Sequence, residues 1–184
     1  MTNVADDHRA VAKAFAERVR GVAPADWDNP APCEGWVALD VVRHLTEWLP
    51  AFLSAGAGIE LPKGPTVDED PLAAWVAHSD GVQALLDDPA TSGQMLANPH
   101  VGEMPVDQAI GMVYVPDVFL HTWDLARATG QDERLDPDRC AQLLAGMLPM
   151  DDVLRGSGQY GPRAEVAEDA DAQTRLLAFI GRPV

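Results

Sequence analysis

Pro116-Asp117-Val118-Phe119-Leu120-His121-Thr122-Trp123-Asp124 is the stretch on which the fold turns. It lies inside a run from about 105 to 129 that reads as one helix, closed by Gly130, a residue common just past a helix end. On a helix, Asp117 and His121 are four apart and share one face, a turn from each other. A carboxylate and an imidazole at that spacing can chelate one metal ion without distorting the backbone. The spacing also suits a plain local side-chain interaction, so the pair by itself leaves both readings open. Pro116 removes a backbone hydrogen bond and should kink the helix beside Asp117.

Working outward, three further helical runs precede this one. Val11, Phe15 and Val19 are four apart with Ala12, Ala14 and Ala16 between them, a helical stripe over 6–19 that stops at Gly21 and Pro24. Residues 26–35 carry too many breakers for an element: Pro30, Pro32 and Gly35 surround Cys33, with Trp27 and Trp36 nearby. Leu39, Val42, Leu45 and Leu49 predict a helix over 38–52, which Pro50 should bend or end. The Gly- and Pro-rich connection 54–71 is expected to be flexible. Residues 71–87 form a third run, with Pro71 suited to its first turn and Leu72, Trp75, Val76, Val82, Leu85 and Leu86 as its apolar positions. Residues 92–104 are polar and irregular, with room for a short strand. Shorter helices are expected over 137–147 and 170–180, separated by a glycine-rich loop over 154–162. The predicted architecture is all-α: a four-helix bundle over 1–130, and a helical extension over 131–184 packed on the same domain.

Bundles build metal sites from side chains on facing helices. His44 falls in the second helix among Val41, Val42, Leu45 and Leu49, where a lone histidine is ordinarily a core residue. Packing the second helix on the fourth would bring it opposite Asp117 and His121. Three N/O ligands would leave a coordination position open, the mark of a catalytic or ligand-binding site. Asp124, a turn beyond His121, is placed either to orient a ligand from behind or to pair with Arg127. Trp36, Trp48 and Trp123 are candidates for a pocket wall, against core or rim packing. Cys33 and Cys140 are read as buried structural thiols. His8, His78 and His100 have no partner at ligand spacing and are expected at the surface. No phosphate-binding glycine loop, Ser–His–Asp arrangement or zinc-knuckle spacing is present.

The 184 residues suit one ordinary domain, and at 47% hydrophobic they can build a sizeable core. Aromatic residues are only 6%, which favours helices over a β-rich fold. Lys+Arg number 13 against 29 Asp+Glu, a formal charge of −16 that repels phosphate backbones and anionic lipid. Nucleic acid and membranes are therefore excluded as expected partners. Two scattered cysteines make no disulfide framework, and no secretory leader or long apolar run is present, so the expected location is the cytoplasm.

Pro32-Cys33-Glu34-Gly35-Trp36, followed by Asp40-Val41-Val42-Arg43-His44-Leu45, resembles the N-terminal signature of the DinB-like and mycothiol-dependent maleylpyruvate isomerase group. The run from Asp117 to Gly130 is similar to that group's second signature. Asp171-Ala172-Gln173-Thr174-Arg175-Leu176-Leu177-Ala178-Phe179-Ile180-Gly181-Arg182 resembles the tail of an actinobacterial-type subgroup of unassigned function. The resemblance implies a metal-binding four-helix bundle with a mononuclear divalent site, whose ligands map onto His44, Asp117 and His121. The acidic ligand is often glutamate in the isomerases, so Asp117 is one methylene shorter. Zinc is the expected ion, with nickel, iron and manganese compatible with the donor set. The implied chemistry is that of a thiol-dependent isomerase or S-transferase: the metal activates a low-molecular-weight thiol, mycothiol in the named members, which attacks an electrophilic substrate. The segment after Gly130 is shorter than the separate C-terminal domain of those isomerases, so a transferase or detoxification role fits as well as isomerisation. The alternative is a non-catalytic metal-binding or ligand-sensing bundle, with a homodimer as the common assembly for either.

Overall fold

The computed structural model describes residues 3–99, 101–156, 158, 160–167 and 169–184. The chain is mostly helical. It divides into two compact units: one holds the residues through Ala31 together with Gly35–Gln131, the other Pro32–Glu34 with Asp132–Val184.

In the first unit, α1 (Val4–Gly21), α2 (Ala38–Ala57), α3 (Pro71–Asp87) and α6 (Val115–Ala128) are the long helices. α1 packs on α3 and α6, and α2 packs on the same two. Three of these helices, α1, α2 and α3, are started by local chemistry. The Asn3 side chain accepts from the Ala5 N–H at the head of α1, and Asp70 accepts from the Ala73 N–H at the head of α3, where Pro71 needs no partner for a missing donor. At the head of α2, Asp40 accepts from the Val37 N–H at 3.0 Å. The apolar stripes then meet: Phe15 of α1 lies 4.5 Å from Trp75 of α3 between ring centroids, and both are fully buried. Burial of side chains of this size stabilises by roughly 1.5–3 kcal/mol each.

Packing shapes three local features. α2 runs through Pro50 to Ala57, because Leu49 and Leu53 on either side are both fully buried and hold the helix across the missing hydrogen bond. The connection after it is tied down, with Val67 buried and Asp68 paired to Arg43 at 2.7 Å. Pro116 produces a widened turn. A short helix α5 (Val106–Ala109) leads into a π-helical turn over Ile110–Tyr114, in which the Val115 N–H reaches back to the Ile110 carbonyl. A proline ring clashes with the carbonyl four residues earlier, here Met112, and the wider turn relieves that crowding before α6 begins. Asp117 is thus set in the first turn of a helix that restarts at Val115.

Between α3 and α5 lie the four-residue helix α4 (Pro89–Ser92) and an antiparallel pair, β1 (Met95–Asn98) and β2 (Gly102–Pro105), with Leu96 opposite Met104. β1 runs tight against α2 at Gly56: a Cβ there would come within 2.9 Å of the Leu96 side chain and 3.2 Å of the Ala97 carbonyl. In the second unit, α7 (Pro137–Met147) is capped by Asp136, and a 3-10 turn over Leu148–Met150 leads into α8 (Asp151–Gly156), whose last residues, 154–156, are helical where the glycine-rich loop is expected to begin. α9 (Ala172–Phe179) packs on α7.

Candidate metal centre

α2 and α6 carry the site between them. His44 and Trp48 are one turn apart on α2, and Asp117, His121 and Asp124 follow each other along α6. Asp117 is the hub. Its Oδ2 lies 3.1 Å from His44 Nε2, and its Oδ1 lies 3.4 Å from His121 Nε2. The two imidazole rings are 4.9 Å apart between centroids, edge to face. One donor atom from each of His44, Asp117 and His121 falls within 4.8 Å of the others, close enough for a single ion to touch all three.

The surroundings fix these groups unequally. The His121 side chain is 6% exposed, whereas those of His44 and Asp117 are 31% and 26% exposed. His121 is therefore the enclosed member of the triad, and His44 and Asp117 are partly accessible to solvent. Behind His121, the fully buried Asp124 places Oδ2 2.9 Å from Nδ1. A carboxylate there sets a negative charge behind the ring, at the nitrogen turned away from Asp117. Trp36 covers both histidines: its ring is stacked 15° from that of His121 at 5.7 Å, and lies 5.0 Å from that of His44. The loop before α2 sets it in place, with Ala31 N–H donating to the Trp36 carbonyl and Gly35 taking a left-handed φ of 78° that a side chain would resist. Trp48 donates its indole N–H to Asp117 Oδ2 at 2.9 Å. Burial works against ionising Asp117, but the His121 and His44 imidazoles outweigh it and hold the carboxyl well below its usual range. Trp123 lies apart from these contacts, 1% exposed, with the Arg127 guanidinium 4.8 Å from its ring centroid.

The expectation of surface histidines fails at two positions. His8 is fully buried and His78 is 6% exposed. His8 Nδ1 meets Gln83 Oε1 at 2.8 Å, and His78 Nε2 meets the Tyr114 hydroxyl at 2.7 Å, so each finds a polar partner across helices that makes burial tolerable. The signal was present: His8 continues the Val11, Phe15, Val19 stripe, and His78 lies three residues after Trp75 and four before Val82. Desolvation lowers both pKa values, that of His78 to about 4, and burial followed by the Asp117 charge pushes Tyr114 up. His100 lies outside the described residues. Cys33 and Cys140 are both buried, and burial raises the Cys140 thiol to about 11.

Residues 8–126 match the mycothiol maleylpyruvate isomerase N-terminal domain. The chain belongs to that family. Two relatives from Mycobacterium tuberculosis strains, the uncharacterized proteins Rv0738 and MT0763, are each 28% identical over 183 residues, covering 96% of this chain and 96% of the relative. No solved structure matches the chain. The family is one of DinB-like, metal-binding domains, and His44, Asp117 and His121 form the cluster here that spans α2 and α6. Two imidazoles and one carboxylate make a donor set that fits a borderline divalent ion. Among the described residues, no helix is long and apolar enough to cross a membrane.

Proposed function

We propose that this chain is a divalent-metal protein of four-helix-bundle type, in which His44, Asp117 and His121 hold the ion and a low-molecular-weight thiol of the mycothiol kind reacts beside it. The observation that carries the reading is the convergence, from two helices, of three side chains able to ligate a metal, two of them partly exposed. A divalent ion, with zinc the first candidate among zinc, nickel, iron and manganese, would supply Lewis acidity that favours the thiolate form of a thiol near neutral pH.

The residues divide the remaining work. Asp117 brings a carboxylate that stays ionised between two imidazoles. Asp124 sets a buried carboxylate beside His121 Nδ1, where it would steady the ring when Nε2 holds a cation. Trp36 shields the two histidines from water on one side, so a thiol and its electrophile approach past the more exposed His44 and Asp117. The thiolate sulfur adds to one carbon of a double bond conjugated to a carbonyl; the C=C π bond breaks and its electron pair moves to the carbonyl oxygen as an enolate. In an S-transferase the enolate takes up the proton the thiol lost and the C–S bond stays; in an isomerase the carbon–carbon bond rotates, the enolate re-forms the double bond and the thiolate leaves unchanged. Zinc analysis of the purified chain beside His121→Ala tests the reading. About one divalent ion per chain, lost in the variant, is expected. A chain that takes up no zinc, nickel or manganese on reconstitution would sink it.

A further inference from the structure

Trp48 does more than line the site. Asp117 Oδ2 has two neighbours, the Trp48 indole N–H at 2.9 Å and His44 Nε2 at 3.1 Å. They are not equivalent. The His44 contact is a hydrogen bond only while Nε2 carries the proton, and an imidazole that offers Nε2 to a cation has none there. The indole nitrogen is a donor in every state. A carboxylate's terminal torsion is broad and two-fold, so without a fixed partner Asp117 can turn its oxygens away. Trp48 is itself braced. Its ring meets those of Tyr114 at 5.7 Å and Phe52 at 5.8 Å, both edge to face, and the Tyr114 hydroxyl is held by His78 at 2.7 Å. A supported donor therefore reaches from the buried His78–Tyr114 pair to the most central atom group of the site.

We propose that Trp48 is a positioning residue for metal capture: its indole N–H pins Oδ2 of Asp117, so that Oδ1 stays turned toward His121 and the carboxylate is pre-set to take a cation. This rests on the metal-site reading above, and it adds a requirement for the N–H itself rather than for an aromatic wall.

The test replaces Trp48 with benzothienylalanine, an isostere carrying sulfur in place of the ring N–H, alongside Trp48→Phe. Zinc affinity is measured by competition with a fluorescent chelator, and unfolding of the zinc-free proteins is followed by circular dichroism. Loss of an outer partner of a metal ligand typically weakens affinity about 10–100-fold, and that loss is expected for both variants. The isostere should unfold like wild type without zinc, since its packing on Tyr114 and Phe52 is kept. In the zinc-free wild type, the Trp48 indole proton resonance should also move on Asp117→Ala. An isostere that binds zinc within about twofold of wild type would overturn the positioning role and leave the triad standing. Wild type that binds no zinc would overturn the triad and this inference together.

Discussion

Acidification should destabilise this protein through a histidine remote from the proposed metal ligands, and the size of the effect follows from where His78 sits. It is 6% exposed, its Nε2 is engaged with the Tyr114 hydroxyl, and desolvation, with a smaller contribution from the His8 charge, lowers its pKa from 6.5 to about 4. A depressed folded-state pKa means that the unfolded chain binds the proton first. Stability is therefore fully present above about pH 6.5 and is lost as pH falls toward about 4. The whole window spans about 2.5 pH units, or roughly 3 kcal/mol at ~1.36 kcal/mol per unit. Between pH 7 and pH 5 the loss from His78 amounts to about 2 kcal/mol. Urea unfolding with a chelator present, followed by circular dichroism at both pH values, measures it. His78→Gln lowers stability at both pH values because the Tyr114 contact changes. The informative quantity is the difference between the two pH values, which should shrink by about 2 kcal/mol relative to wild type. His8, shifted the same way by burial, accounts for part of the slope that remains. An unchanged pH difference in His78→Gln, or a His78 imidazole that titrates near 6.5 by NMR, would refute the reasoning.

Two further outcomes follow from single contacts. Asp124→Asn removes the charge 2.9 Å from His121 Nδ1 at nearly constant volume, so zinc affinity should fall about 10–100-fold in a chelator competition while helix content is kept. Gly181 has a φ of 84°, and a Cβ there would come within 2.8 Å of the Gly161 backbone, so Gly181→Ala should lower the thermal midpoint and unfold the second unit at lower urea concentration than wild type.

The sequence by itself determined what short-range chemistry controls. The bounds of α3 and α7 are legible because each begins with an aspartate cap and a proline in its first turn, signals complete within a few residues. The same holds for the shared face of Asp117 and His121, which is a matter of helical period alone. Tertiary structure decided the rest, because the deciding partners are distant in the chain. Pro50 stays inside α2 because buried leucines on both sides outweigh one missing hydrogen bond, and Pro116 is absorbed by a π turn. His8 and His78 could enter the core only once Gln83 and Tyr114 were there to meet them. The approach of His44 to Asp117, 73 residues away, and the indole N–H that Trp48 donates to the same carboxylate exist only where α2 lies on α6. Periodicity says which face of a helix is buried, but not which side chain of another helix it will find there.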